Sequence, residues 1–363
     1  MSEIDSGAAH PTRHWRSLDD GRIECTVCPR ACRLREGQRG FCFVRAHVGD
    51  AIVLESYGRS SGFCVDPIEK KPLYHFLPGS SVLSFGGVGC NLACKHCQNW
   101  RISRARRTDA LAETASPEEI VRMAKRCECP SVAFTYNDPV VFLEYAADVA
   151  RACHEHGIRT VAVTAGYVHG EARADLFRHI DAANVDLKSF SDGFYRRICG
   201  GRLEPVLDTL RYLRRETAVW LELTTLLIPG ENDAPSEIDA MARWIAEEMG
   251  PDTPVHFTAF HPDWRMQDRP ATPAATLSRA RAIALSNGLR YVYTGNTWDA
   301  EGGVTRCHAC GRIVAARLRC ELLSLHLDEC GRCVACGAEC PGVFGGPPGG
   351  WGAHRVRKRV RPE

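Results

Sequence analysis

The sequence predicts an α/β fold of parallel strands joined by right-handed helical crossovers, wound as an open doubly wound sheet or as a barrel or partial barrel. Strand-like runs rich in Val, Thr, Phe and Tyr alternate with amphipathic stretches from Ser81 to Tyr293, and that composition favours strands. The chain has 363 residues, 44% hydrophobic and 25% charged, which suits a folded core and argues against wholesale disorder. Its net charge of +2 gives no chain-wide basic field, so nucleic acid is not an expected partner.

In chain order, strands are predicted at Ser81–Phe85, Ser131–Tyr136, Thr160–Thr164, Asn184–Lys188, Trp220–Leu227, Val255–Phe260 and Arg290–Tyr293. Ser116-Pro117-Glu118-Glu119 is a capping box with proline at the first helical position, so a helix starts there. Pro139 to His156 reads as a helix ended by Gly157, and Pro235 to Met249 and Pro273 to Asn287 as two more. In either winding, ligand chemistry gathers at the C-terminal ends of the strands.

No apolar run is long enough to span a membrane, and Met1 to Arg16 lack a hydrophobic signal core, so a cytoplasmic protein is expected. There the 19 cysteines are better read as metal ligands than as disulfides. They divide the chain into a cysteine-bearing N-terminal segment (1–80), a central domain (81–296), a cysteine-rich module (305–344) and a Gly/Pro and basic tail (345–363) expected to be disordered and solvated. Cys64, Cys127, Cys129, Cys153 and Cys199 are scattered and read as small packing residues.

Cys90, Cys94 and Cys97 form a C-x3-C-x2-C group on the glycine-rich loop Gly86–Gly89 after the first central strand. Three thiolates leave a structural zinc short of a ligand. They can hold three corners of a 4Fe–4S cubane and leave one iron open to a substrate or cofactor. The alternative is a zinc knuckle that borrows a distant His or Cys. Cys25, Cys28, Cys32 and Cys42 can close a second site, read as zinc with an iron–sulfur cluster as the alternative. Cys307, Cys310, Cys333 and Cys336 sit in two C-x2-C-G knuckles, as in a zinc ribbon. Cys330, Cys333, Cys336 and Cys340, followed by Pro341, give the rival spacing of a ferredoxin cluster.

The C-x3-C-x2-C spacing is the signature of radical S-adenosylmethionine (SAM) enzymes. From about Cys25 to Phe344 the chain resembles the radical enzyme of the AmmeMemoRadiSam system, a branch similar to pyruvate formate-lyase activating enzyme. The matching stretches are Cys25–Cys32, Asp66–Gly79, Thr135–Pro139, Asp186–Lys188, Ile228–Asp233, Phe257–Pro262 and Tyr291–Asn296. The resemblance implies a partial (β/α)6 TIM-like barrel and a 4Fe–4S cluster at Cys90, Cys94 and Cys97 that binds SAM. Cleavage of SAM to a 5′-deoxyadenosyl radical would then take hydrogen from a substrate. That substrate would be a partner protein, as in glycyl-radical activation, or a small molecule or peptide. A non-catalytic zinc-ribbon binding module is the reading from outside enzymology.

Asn137, Asp138, Asp186 and Lys188 end strands at the implied SAM site. Asp138 stands where the family usually has Glu, and Ala165 where it more often has Asn. Asp138 also suits a helix cap for Pro139 onward. Asp186 and Lys188 flank Leu187 and so face one side. Gly166 permits close backbone approach, His96 reads as packing near the cofactor, and His256 and His261 as lining the substrate space or as structural histidines. A flavodoxin- or ferredoxin-type electron donor is implied, and the family's name adds Memo-like or AMMECR1-like proteins as partners.

Overall fold

The computed structural model describes residues 10–106, 113–345 and 349–360. The remaining parts of the N-terminal segment and the basic tail lie outside the described residues.

Seven parallel strands form the central sheet: β2 (Ser81–Phe85), β3 (Ser131–Phe134), β4 (Arg159–Thr164), β5 (Ala182–Asp186), β6 (Trp220–Leu227), β7 (Val255–Ala259) and β8 (Val292–Gly295). Each lies beside its predecessor in the chain. A doubly wound sheet reverses its strand order at a switch point. This one does not, so the partial barrel holds and the open alternative falls. The order continues past β2 to two antiparallel strands, β1 (Phe63–Pro67) and β9 (Val356–Lys358). Among the described residues β8 and β9 are the outer strands of this sheet, which does not close on itself.

Helices α1 (Pro117–Arg126), α2 (Leu143–Glu155), α3 (Gly170–Phe177), α4 (Glu204–Glu216), α5 (Pro235–Trp244) and α6 (Ala274–Ser286) fill the crossovers. The capping box is real: Ser116 Oγ accepts from the Glu119 amide at 3.3 Å and Glu119 accepts from the Ser116 amide at 2.6 Å. Pro139–Phe142 is a 3-10 turn before α2, and Ile245–Met249 is a π turn after α5.

The tail expected to be disordered and solvated is instead part of the sheet. Val356, Arg357 and Lys358 pair with Val65, Cys64 and Phe63, and the Trp351 amide donates to the Gly79 carbonyl at 3.1 Å. The edge strand β1 needs partners for its backbone groups, and a basic segment with no apolar period can supply them. Residue 80 is likewise no boundary of packing. Ile23, Val44 and Ile52 share one core cluster with Phe85 and Phe142.

The stretch between β1 and β2 runs through the barrel. Ile68, Leu73 and Phe76 pack on Ala133, Val161 and Ala182, and Asn184 Nδ2 donates to the Pro72 carbonyl at 2.8 Å. Glu222 on β6, fully buried, accepts from the Tyr74 and His75 amides at 3.0 and 2.8 Å and from Trp220 Nε1 at 3.0 Å, and pairs with His256 Nε2 at 2.7 Å. The cysteine-rich module, a small sheet of Thr305–Arg306, Ile313–Leu318 and Glu321–Leu325, attaches here. Arg317 Nη2 donates to the Tyr74 carbonyl, and His75 Nδ1 meets the Pro341 carbonyl at 2.6 Å.

Candidate functional site

The C-terminal ends of the strands frame a cavity of about 340 Å³. Cys90, Cys94 and Cys97 enter it from the loop after β2, Asp138 from the end of β3, and Asp186 and Lys188 from the end of β5. A larger groove of about 850 Å³ opens at the other ends of β2 and β3. The smaller cavity is where thiols, carboxylates and an ammonium converge, and it lies where parallel α/β folds place their chemistry.

The glycine-rich loop is held from behind. Asn137 Oδ1 accepts from the Gly87 amide at 2.9 Å, and its Nδ2 donates to the Val88 and Gly89 carbonyls at 3.3 and 3.0 Å. A Cβ at Gly86 would stand 2.1 Å from the Thr135 carbonyl oxygen, so only glycine lets the loop lie this close to β3. The Ala93 and Lys95 amides donate to the Cys199 and Ile198 carbonyls at 2.8 and 2.9 Å.

Cys199, read from sequence as a packing residue, donates a hydrogen bond to Cys94, which holds the Cys94 thiol below its usual range. Burial pushes Cys90 and Cys97 up. A single sequence gives no signal for Cys199, which lies 105 positions from Cys94 (199 minus 94).

Asp138 is almost fully buried and accepts from the Val140 amide at 3.1 Å, Thr164 Oγ1 at 2.8 Å and the Ala165 amide at 2.9 Å. It caps the Pro139 turn and ties β3 to β4. Burial raises its pKa against these hydrogen bonds. Asn137 and Asp138 therefore spend most of their hydrogen-bonding capacity on the protein itself, which departs from the direct cofactor contact expected of them.

Lys188 Nζ lies 2.9 Å from Asp186 Oδ2, so the two side chains do meet across Leu187. Burial opposes the Lys188 charge, but Asp186 and the thiols of Cys94 and Cys199 hold its pKa well above the ordinary value. Asn232, in the Ile228–Asp233 stretch, donates to the Lys188 carbonyl at 2.7 Å, and Asn296 clamps the end of β7 through both Ala259 backbone groups. His256 belongs to the Glu222 network, and His261 is exposed. The structural reading holds for His256.

The donor set can be tested against the groups it might hold. Zinc–sulfur bonds of about 2.3 Å in a tetrahedron place thiolates about 3.8 Å apart. The C-terminal set matches: Cys307 and Cys336 Sγ are 3.6 Å apart, Cys310 and Cys333 Sγ 3.8 Å, and all four lie within 4.8 Å. Cys340 turns away to His75 Nδ1 at 3.8 Å, so the ferredoxin pairing is not assembled.

No three of the described residues outside that set gather their ligand atoms so closely. Cys90, Cys94 and Cys97 are therefore not gathered as tightly as the C-terminal four. A cubane, with an iron inward of each thiolate, suits them. Two buried polar atoms lining the same cavity, His96 Nδ1 and Thr224 Oγ1, have no partner. Unpaired buried groups are costly, and a polar ligand would satisfy them. Thr224, on β6, carried no signal in the sequence.

Comparison with known proteins agrees with this geometry. The model of the family described as "Radical SAM superfamily" matches residues 85–245. Uncharacterized protein MJ0808 of Methanocaldococcus jannaschii is 39% identical over 324 residues, covering 89% of this chain and 96% of that protein. The pyruvate formate-lyase-activating enzyme of Clostridium pasteurianum is 25% identical over 43% of this chain and 66% of its own length. The benzylsuccinate synthase activating enzyme of Thauera aromatica is 24% identical over 36% and 39%. The chain thus spans less than two thirds of either activating enzyme. No helix among the described residues is long and apolar enough to cross a membrane.

Proposed function

With residues 85–245 matching the radical SAM superfamily, we propose that the chain is a radical SAM enzyme that cleaves SAM reductively at a 4Fe–4S cluster held by Cys90, Cys94 and Cys97 and takes hydrogen from a partner protein. The observation that carries this is the cavity itself: three cysteines, with no fourth ligand gathered beside them, share it with the unpartnered polar atoms of His96 and Thr224. When bound, the cluster and SAM supply a 5′-deoxyadenosyl radical, and the protein's part is to bind, orient and exclude water.

Asn137 fixes the glycine-rich loop, so the three cysteines keep their spacing. Asp138 holds the neighbouring strand ends in register and acts as a positioning residue. Asp186 and Lys188 place a charge pair on the wall, suited to the amino and carboxylate groups of an amino-acid ligand. Thr224 and His96 offer the remaining polar contacts.

A partner protein as substrate is drawn from relatives named as activating enzymes. Memo-like and AMMECR1-like proteins are the candidate partners, and a flavodoxin- or ferredoxin-type protein the electron donor. The four C-terminal cysteines hold zinc in this account.

Anaerobic reconstitution followed by dithionite and SAM is expected to yield 5′-deoxyadenosine and methionine. A yield equal to that of protein lacking iron would leave only a non-catalytic zinc-ribbon module. Deuterium passing from a labelled candidate protein into 5′-deoxyadenosine identifies a protein substrate, and transfer only from a labelled small molecule or peptide contradicts that assignment.

Lys188→Ala should weaken SAM binding by roughly 10- to 100-fold, since a hydrogen bond to a charged group contributes about 1.5–3 kcal/mol. Isothermal titration with SAM on the reconstituted protein measures it. An unchanged dissociation constant would remove Lys188 from the SAM site.

A further inference from the structure

Cys25, Cys28, Cys32 and Cys42 enclose a small cavity of their own, walled by Arg30, Arg45 and Asn91. Cys25 ends the strand Ile23–Cys25, Cys28 and Cys32 follow on the next turn, and Cys42 precedes the strand Arg45–Val48. Gly40 lies between two of the sulfurs: a Cβ there would stand 3.8 Å from both Cys32 and Cys42 Sγ. The four face one space, yet no three of their sulfurs come within 4.8 Å of one another, as those of the C-terminal set do. Tetrahedral zinc would draw them to about 3.8 Å. A cubane keeps them far wider.

We propose that this N-terminal pocket holds a second 4Fe–4S cluster, ligated by Cys25, Cys28, Cys32 and Cys42, where the sequence favoured zinc. Such a cluster with four thiolates is anionic, and the wall carries two guanidinium groups. Arg45 is only 2% exposed; it donates to the Val141 carbonyl at 3.2 Å and pairs with Glu144 at 2.5 Å. Arg30 donates to the carbonyls of Asn91 and Gly200 and lies 3.5 Å from the Phe41 ring centroid.

Position adds a role. Asn91 walls this pocket, while its neighbours Cys90 and Leu92 line the central cavity. The Cys42 carbonyl packs on Gly89, where a Cβ would stand 2.1 Å from it. Asn91 Oδ1 is buried in this partition without a partner. One electron accepted here from a low-potential iron–sulfur or flavin protein has a single wall to cross to the Cys90 loop, with no bond made or broken. The site itself stands on its own cysteines, and only this role rests on the catalytic proposal.

The test uses the full chain, purified anaerobically and reconstituted with iron and sulfide. A Cys90→Ala/Cys94→Ala/Cys97→Ala variant is expected to keep about four irons and about one zinc per chain, against about eight irons in the wild type. Adding Cys28→Ser should remove the remaining iron. A triple variant with no iron and about two zincs overturns the proposal. That count decides the matter even if Cys28→Ser fails to fold. Dithionite-reduced wild type should also give an electron paramagnetic resonance signal broadened by two neighbouring clusters, and the triple variant a narrow one. A wild-type signal that is a plain sum of two isolated clusters contradicts the shared wall. If the wild type cleaves no SAM while the triple variant keeps its irons, the catalytic proposal fails and this site stands.

Discussion

Cys94→Ala is expected to lower 5′-deoxyadenosine formation by at least on the order of a thousandfold, a barrier change of about 4 kcal/mol or more. In the proposed function Cys94 is the middle ligand of three. Cys90 and Cys97 remain, but two thiolates do not hold three corners of a cubane. Cys199 is a thiol whose hydrogen bonding already bears on Cys94. Its backbone is pinned by the Ala93 amide at 2.8 Å, so it has little freedom to move into a ligand's place. The measurement is product formation per chain under dithionite, with circular dichroism as the folding control. Wild-type yield from the variant would show that Cys94 is not a ligand.

Glu222→Ala should have the largest effect on stability. Four donors converge on this fully buried carboxylate. Breaking a buried charge network by removing one partner costs about 3–5 kcal/mol, which corresponds to a fall in Tm of roughly 10 °C. The loss reaches the site because the anchored segment carries Pro72, which lines the cavity.

The same group gives a pH dependence. Burial raises the Glu222 pKa, but the hydrogen bond and charge of His256, with His75 and the Tyr74 amide, outweigh it and hold the group down to about 2 from 4.5. A carboxylate with a depressed folded pKa contributes stability that is fully present above its unfolded pKa and is lost as pH falls through the folded one. Wild-type Tm should therefore fall between about pH 5 and pH 2, and Glu222→Gln should flatten that limb. Equal slopes for the two proteins would contradict the assignment.

What could be read from the sequence was what repeats or crowds. The β/α alternation places every central strand to within a few residues, since strands and crossover helices have different periods. The cysteine triplet and the ribbon knuckles are local in sequence, and the ribbon sulfurs meet as their spacing implies. The β/α pattern alone left the winding open, because an open sheet and a barrel share it, and it was the family resemblance that pointed to the partial barrel. Only the unreversed strand order separates them.

Side-chain roles that depend on distant partners were the other gap. Asn137 and Asp138 sit at a strand end, as a site would require, but their bonds go to the Gly86–Gly89 loop and to β4. Cys199 and Thr224 gave no pattern at all, and Asn232 was marked only as part of the Ile228–Asp233 stretch. The basic tail looked solvated because pairing to an edge strand uses backbone groups and leaves no mark in side-chain composition.

The central claim is that the cysteine cavity presents one iron free of protein ligands to SAM. Electron–nuclear double resonance on the reduced protein, with SAM labelled in its amino nitrogen and carboxylate oxygen, tests it most directly. The account predicts hyperfine coupling from both labels, present in the wild type and absent from Cys94→Ala. A cluster signal unchanged by labelled SAM, with every iron bound by the polypeptide, would contradict it.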